Sequence, residues 1–157
     1  MNSELRDLYQ EVVIDHSKRP RNFRKLEGAT RTAEGFNPLC GDQLTLYVKL
    51  ADGVIEDIAF QGSGCAISKA SASLMTAALK GKKQEEAVAL FERVHVMLTE
   101  GPNGAVKLED VGKLAALSGV WEFPMRVKCA TLAWHTLRSA LEGKGDGIST
   151  AGQEPAR

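Results

Sequence analysis

Residues 44–60 read LTLYVKLADGVIEDIAF, and this stretch decides the fold. Every second residue from Leu44 to Leu50 is aliphatic, which is the period of a strand with one buried face. The pair Asp52-Gly53 then favours a tight turn, and apolar residues from Val54 to Phe60 continue on a second strand. The sequence therefore predicts an antiparallel hairpin.

Helical periodicity surrounds this hairpin on both sides. Apolar residues recur at helical spacing in four segments, which we expect at Ser3 to about Asp15, Cys65 to the stop at Gly81, Gln84 to Leu98, and Pro124 to Leu141. A further short strand is indicated at Thr30 to Glu34. Strands followed by helices predict an α+β domain, with a small three-stranded antiparallel sheet covered on one face by helices.

Two segments depart from this pattern. Residues 99–123 are punctuated by glycines and a proline, and we predict a loop-rich insertion with a short helical turn near Leu108 to Leu117. Residues 144–157 are polar and glycine-rich, so we predict a disordered tail. The single domain would then span residues 1–143.

Composition excludes several classes of function. The 157 residues carry 20 basic and 20 acidic side chains, so no net charge attracts a polyanion, and nucleic acid is not expected as the main partner. An acidic residue stands close to the start with no apolar run after it, which argues against a signal peptide. Because no stretch approaches the roughly 18 apolar residues of a membrane helix, we expect no membrane association and a cytoplasmic protein.

The chain has three cysteines, which cannot all pair with one another. In a reducing cytoplasm a disulfide framework is not expected, so the thiols must be core residues, nucleophiles or metal ligands. Cys40 lies in a turn, with Asp42 two residues further on. Side chains two apart on an extended segment point the same way, roughly 6.5 Å from each other, so one ion could take both. Gly41 between them permits a tight bend.

The other two cysteines are predicted near helix starts. Cys65 follows a glycine-rich bend that ends at Gly64, and Cys129 lies in the first turns of the last helix. Exposed amides and the helix dipole at such positions favour thiolate over thiol. Since zinc takes four ligands in a tetrahedron, Cys40, Asp42, Cys65 and Cys129 would complete one site at an end of the sheet. The long spacings alone are weak support for such a site.

Several neighbouring side chains have less specific interpretations. Arg126 and Lys128 beside Cys129 could offset the negative charge of the cluster, or be solvated residues at a helix start. His16 follows the first helix and could be a ligand. His135 is six residues beyond Cys129 and is predicted to face elsewhere on the helix, and His95 has no predicted partner.

Taken together, these motifs resemble the U-type iron–sulfur scaffold family, and specifically its SufU branch. The resemblance covers roughly residues 5–141 and rests on Tyr9 with Asp15-His16 and Pro20-Arg21-Asn22, on NPLCGD at 37–42, on GSGCAIS at 62–68 and on RVKC at 126–129. The IscU branch carries a histidine just before its third cysteine, where this chain has Lys128. That difference, and the insertion at residues 99–123, both resemble SufU.

The resemblance implies a zinc-dependent sulfur acceptor. SufU proteins bind zinc through three cysteines and an aspartate, and these map onto Cys40, Asp42, Cys65 and Cys129. They accept persulfide sulfur from a SufS-type cysteine desulfurase and serve downstream cluster-assembly proteins of the SUF system. By this resemblance Cys40 is the acceptor, freed when a histidine of the desulfurase replaces it on zinc. The resemblance also implies that His16 fixes the adjoining loop rather than binding the metal.

Two other functions stay open from the sequence. The same ligands could form a scaffold on which a transient iron–sulfur cluster is assembled. Alternatively, the chain could be a structural zinc domain that only binds another protein. Bound zinc with faster desulfurase turnover would indicate the sulfurtransferase partner, and an iron–sulfur chromophore would indicate the scaffold.

Overall fold

A computed structural model describes residues 3–101, 104–143 and 148–149. In chain order the elements are helix α1 (Ser3–Lys18), strands β1 (Arg31–Asn37), β2 (Asp42–Ala51) and β3 (Val54–Ser63), helices α2 (Ala66–Leu79) and α3 (Gln84–Glu100), a 3-10 helical segment (Leu108–Glu122), helix α4 (Pro124–Leu141) and a two-residue strand β4 (Ile148–Ser149). No helix among the described residues is long and apolar enough to cross a membrane.

The predicted hairpin of β2 and β3 forms one side of a sheet with the strand order β3-β2-β1-β4. Strand β2 pairs antiparallel with β1 on one side and with β3 on the other. Asp52 and Gly53 make the β2–β3 turn with φ angles of 54° and 77°, the left-handed conformation that two-residue hairpins of the Asp-Gly type require. The three predicted strands are therefore confirmed.

The helices cover one face of this sheet, as expected. Leu44, Leu46 and Val48 of β2 are buried, whereas the residues between them are more exposed. Helix α4 lies against β1 and comes close because Gly35 has no side chain, since a Cβ there would collide with the Thr136 hydroxyl. The fully buried Trp134 of α4 lies in the apolar core beneath the sheet. The α+β class is thus confirmed.

The loop-rich interpretation of residues 99–123 underestimates the helical content of that segment, although the short helical turn predicted near Leu108 to Leu117 is confirmed. Helix α3 continues to Glu100, and residues 108–122 form a 3-10 helical segment with a kink at Gly112, whose φ is 59°. Val111, Leu114 and Leu117 are buried in the apolar core. The glycines that suggested a loop instead allow the chain to turn within a packed segment.

Element ends also differ from the predictions. Helix α1 continues past Asp15 to Lys18, and β1 extends from Arg31 to Asn37 rather than ending at Glu34. The prediction of a disordered tail is wrong at Ile148–Ser149, which pair in parallel with Gly35 and Phe36 of β1. The other residues of 144–157 lie outside the described part of the chain.

Candidate metal centre

Cys40 and Asp42 are brought to one end of the sheet by the β1–β2 turn. The turn is closed by the main-chain N–H of Cys40, which donates to the Asn37 carbonyl over 3.2 Å. Gly41 has a φ of 73°, so the position before Asp42 requires the freedom of glycine. The Cys40 side chain is exposed, whereas Asp42, the first residue of β2, is 1% exposed.

Cys65 caps the start of α2 and contacts Asp42 directly. Its sulfur accepts the main-chain N–H of Ser68 over 3.4 Å, and its own N–H donates to Asp42 Oδ1 over 2.7 Å. The Cys65 sulfur lies 3.6 Å from Asp42 Oδ2. Gly64 makes this approach possible, because a Cβ at that position would collide with the Asp42 carboxylate.

Cys129 reaches the same place from the second turn of α4. It is 2% exposed, and its sulfur lies 3.3 Å from that of Cys40. One ligand atom from each of Cys40, Asp42 and Cys129 lies within 4.8 Å of the other two. Cys65 is not one of these three mutually close residues, but its sulfur and its main-chain N–H both contact Asp42. Four residues from three separate parts of the sequence therefore meet at one end of the sheet.

The thiols at this end have opposite protonation tendencies. The hydrogen bond from Cys129 lowers the pKa of Cys65 to about 7, with help from the Ser68 N–H and against the effects of burial and the Asp42 charge. The same hydrogen bond, together with burial, raises the pKa of Cys129. In the metal-free protein these shifts favour ionisation of Cys65 over that of Cys129. In the second helical turn Cys129 is beyond the free amides of the helix start, and it is buried beside other acidic groups.

Two separations between donor atoms can be compared with those of a tetrahedral zinc site. With bonds of about 2.3 Å to sulfur and 2.0–2.2 Å to oxygen, tetrahedral ligands stand roughly 3.8 Å apart for two sulfurs and roughly 3.6 Å for sulfur and oxygen. The observed separations are 3.3 Å for Cys40 and Cys129 and 3.6 Å for Cys65 and Asp42. Asp42 is 1% exposed, so a cation here would also compensate a buried carboxylate.

The two basic residues before Cys129 differ in their surroundings. Arg126 is exposed, and its guanidinium carbon lies 4.9 Å from the centroid of the Phe123 ring. This contact is with an aromatic ring and not with a cysteine. Lys128 is half-buried. Charge compensation of the cluster by either residue stays a prediction.

Asn37 is a polar residue at this site to which the sequence analysis gave no role. It is 0% exposed. Its Oδ1 accepts the Leu39 N–H over 3.2 Å, and its Nδ2 is directed at the Cys129 sulfur over 4.0 Å. Asparagine before a turn commonly accepts an N–H two residues further on, and this is the signal that the sequence offered.

The histidines lie apart from the cysteine cluster. His16 is buried within α1, and its Nδ1 lies 2.7 Å from the Ser73 hydroxyl, which also accepts the Arg21 N–H over 2.8 Å. Through Ser73 these contacts connect α1, α2 and the loop at Arg21, in agreement with the predicted role of His16. His135 of α4 faces His95 of α3, with ring centroids 5.8 Å apart. The prediction that His135 points elsewhere is also confirmed, and His95 has a partner that sequence reasoning missed.

The candidate metal centre is open to solvent at Cys40, whose side chain is exposed. A cavity of about 920 Å³ between α2, α3 and the 3-10 helical segment has no cysteine in its wall. The exposed Cys40 instead lies beside Leu39, a side chain that is 57% exposed. An open surface position of this kind suits exchange with another macromolecule better than enclosure of a small substrate.

Comparison with known proteins adds three matches over most of the chain. A family profile described as the NifU-like N-terminal domain matches residues 8–130. The iron–sulfur cluster assembly scaffold protein IscU of Streptococcus pyogenes serotype M1 is 46% identical over 140 residues, covering 89% of this chain and 86% of the relative. The zinc-dependent sulfurtransferase SufU of Bacillus subtilis is 41% identical over 140 residues, covering 89% and 93%.

The fold is also similar to a solved structure from Fervidobacterium islandicum AW-1, assigned as an iron–sulfur cluster assembly scaffold protein for the SUF system. The two share 35% sequence identity and superpose with a TM-score of 0.79. The match covers 89% of this chain and 99% of that one. The likeness therefore extends to the architecture of the whole domain.

Proposed function

Because the chain belongs to the NifU-like N-terminal domain family, the iron–sulfur cluster assembly scaffolds of IscU and SufU type, we propose that it accepts persulfide sulfur in the SufU manner. In this proposal the sulfur comes from a SufS-type cysteine desulfurase, and zinc is the resident metal. The observation that carries it is the contrast between two sulfurs 3.3 Å apart, of which Cys40 is exposed and Cys129 is buried.

The residues that would hold the ion are Cys40, Asp42, Cys65 and Cys129. Zinc bound there would keep thiols ionised at neutral pH. Asp42 is fixed by the Cys65 N–H, Cys65 by the start of α2, and Cys129 by its burial in α4. Only Cys40 lies on a turn with an exposed side chain, so it is the ligand best able to leave.

The transfer step uses the Cys40 thiolate as nucleophile. It attacks the terminal sulfur of the persulfide on the desulfurase, a new S–S bond forms on Cys40, and the donor cysteine leaves as a thiolate with the electron pair of the broken bond. No oxidant or reductant is consumed. The reaction needs an ionised nucleophile and access, and the exposed turn supplies the access. Downstream proteins of SUF type would then take the sulfur from Cys40.

Assembly of a cluster on the same ligands is the second candidate function. It is favoured by the 46% identity to a relative named as an IscU scaffold, and three thiolates with a carboxylate could also hold iron. Lys128 stands where, by the resemblance to the family, IscU proteins carry a histidine. This difference favours the sulfurtransferase over the scaffold.

Addition of the purified, zinc-loaded protein to a SufS-type desulfurase tests the proposal. We expect faster cysteine turnover and a mass gain of one sulfur atom on the peptide that contains Cys40. The variant Cys40→Ala should abolish both effects. Unchanged stimulation by Cys40→Ala would contradict the role of Cys40, and an iron–sulfur chromophore without stimulation would favour the scaffold. Zinc binding with neither faster cysteine turnover nor an iron–sulfur chromophore would indicate a structural zinc domain.

A further inference from the structure

Asn37 connects the exposed and the buried cysteine of the candidate metal centre. It is the last residue of β1, directly before the turn that carries Cys40, and its side chain is 0% exposed. A primary amide is costly to bury unless both of its polar ends have partners. Here one end meets the turn and the other faces Cys129 across the site.

The orientation of the Asn37 amide follows from its partners. The Leu39 N–H can only donate, so the atom it meets over 3.2 Å must be the carbonyl oxygen. The amino group therefore faces the Cys129 sulfur, 4.0 Å away. A donor at this place would stabilise negative charge on Cys129, which matters because three thiolates and a carboxylate exceed the charge of one divalent ion.

The same residue also closes the turn. The Asn37 carbonyl accepts the N–H of Cys40 over 3.2 Å, so Asn37 bonds to both Leu39 and Cys40. These two hydrogen bonds set where the Cys40 side chain starts from the backbone. The 3.3 Å separation between the Cys40 and Cys129 sulfurs therefore depends on a residue that is not itself a ligand.

We propose that Asn37 is a positioning residue, which holds the turn that carries Cys40 in place and directs its amide N–H at the Cys129 sulfur. This inference rests on the metal site of the proposed function. The two ends of the Asn37 amide have different roles. Its oxygen restrains the turn that carries Cys40, and its nitrogen donates towards the Cys129 sulfur.

Two substitutions separate these parts. Asn37→Ala removes the side-chain oxygen and nitrogen together. Asn37→Ser keeps an oxygen that can accept the Leu39 N–H in an equivalent turn, but it is too short to reach Cys129. Asn22→Ala is the matched control, because Asn22 Nδ2 also donates one side-chain hydrogen bond, to Thr76 Oγ1 over 3.1 Å near the other end of α2.

The first measurement is the absorption spectrum of each variant with Co²⁺ in place of zinc. Loss of an N–H donor leaves the Cys129 sulfur richer in electrons, so the thiolate-to-cobalt charge-transfer band should move to longer wavelength in both Asn37→Ala and Asn37→Ser. Asn22→Ala should lower the melting temperature without moving the band. A shift of equal size in Asn22→Ala would mean a general loss of structure and would overturn the proposal.

The second measurement is alkylation of Cys40 in the zinc-loaded proteins. We expect Asn37→Ala to react about tenfold faster, the factor for one lost hydrogen bond of about 1.4 kcal/mol. Asn37→Ser should stay within about twofold, because it retains an acceptor for the turn. An unchanged band and rate in Asn37→Ala would overturn the assignment.

The Asn37→Ser variant keeps the proposal testable even if Asn37→Ala does not fold. If Asn37→Ala does not fold, a spectrum of Asn37→Ser that matches the parent would overturn the sulfur contact on its own. If the parent protein gives no charge-transfer band with Co²⁺, the metal site itself is contradicted and the role of Asn37 falls with it. A band in the parent that no Asn37 variant moves would contradict Asn37 alone.

Discussion

The main-chain N–H of Cys65 donates to Asp42 Oδ1 over 2.7 Å, while Asp42 Oδ2 lies 3.6 Å from the Cys65 sulfur. One carboxylate thus joins the start of β2 to the start of α2 and also presents an oxygen to the candidate metal centre. These two roles use different oxygens. Substitutions can therefore separate them.

We predict that Asp42→Asn and Asp42→Ala differ in the metal-free protein. The amide of Asp42→Asn retains an oxygen for the Cys65 N–H, so its free energy of unfolding should stay close to that of the parent. Asp42→Ala leaves this N–H without its partner and should lose about 1–2 kcal/mol. Urea unfolding in the presence of a chelator measures the difference. Equal stability of the two variants would show that the Oδ1 contact contributes nothing.

Gly64→Ala should displace Asp42 and weaken zinc binding. A Cβ at Gly64 would collide with the Asp42 carboxylate, and the φ of 152° is unfavourable for a residue with a side chain. We expect zinc affinity to fall at least about tenfold, as when a supporting contact of a metal site is removed. Competition with a chelator of known affinity measures the change.

Gly28→Ala is the control for that substitution. Gly28 has a φ of 78°, yet no atom lies within 4 Å of a Cβ built there. It should therefore lose stability through its backbone conformation, by about 1–2 kcal/mol, and keep its zinc affinity. Equal loss of zinc in both variants would contradict the role of the Asp42 collision.

In the metal-free protein, Cys65 should react with iodoacetamide as a partly ionised thiol. Its pKa is lowered from 9.0 to about 7, chiefly by the hydrogen bond from Cys129. The alkylation rate of the Cys65 peptide should therefore rise with a midpoint near pH 7, followed by mass spectrometry. Cys129→Ala removes the donor and should move the midpoint towards its ordinary value. A midpoint that does not respond to Cys129→Ala would exclude this cause.

Acid should destabilise the protein through His135. Burial, with His95 and Arg138 nearby, lowers its pKa from 6.5 to about 4. The unfolded chain binds this proton first, so the contribution to stability is complete above pH 6.5 and is lost as the pH falls towards 4. The full loss corresponds to roughly 3 kcal/mol at 1.36 kcal/mol per pKa unit.

The test of this pH dependence compares the parent with His135→Gln. Urea unfolding from pH 8 to pH 4.5, with a chelator present so that proton-linked metal loss does not contribute, gives the free energy of unfolding at each pH. We expect a shallower acid decline in His135→Gln, with the two curves parallel above pH 7. Identical slopes below pH 6 would exclude His135 as the source.

The parts of the fold that the sequence predicted well are those with a strong local signal. Alternation from Leu44 to Leu50 and the Asp52-Gly53 turn depend on backbone rules that hold in any context. The 3-10 helical segment was predicted only in part because its glycines, such as Gly112, signal loops, whereas its apolar side chains pack through contacts distant in sequence. A period shorter than that of an α-helix further weakens the pattern.

For the site, the sequence indicated which residues meet but not how they share protons. Cys40 and Asp42 were predicted from their spacing of two, and the structure places their ligand atoms within 4.8 Å of each other. The raised pKa of Cys129 follows from its hydrogen bond with Cys65, which lies 64 residues earlier in the chain, and from burial. No local pattern encodes such a pair, and the buried contacts of Asn37 escaped prediction for the same reason.

Of the four candidate ligands only Asp42 and Cys129 are buried, whereas the apolar core cluster is made of aliphatic, aromatic and methionine side chains. Most of the cohesion of the domain consequently comes from side chains outside the candidate metal centre, unlike that of a small zinc finger, which unfolds without its metal. The ion at the candidate metal centre could then bind and leave repeatedly while the domain stays folded.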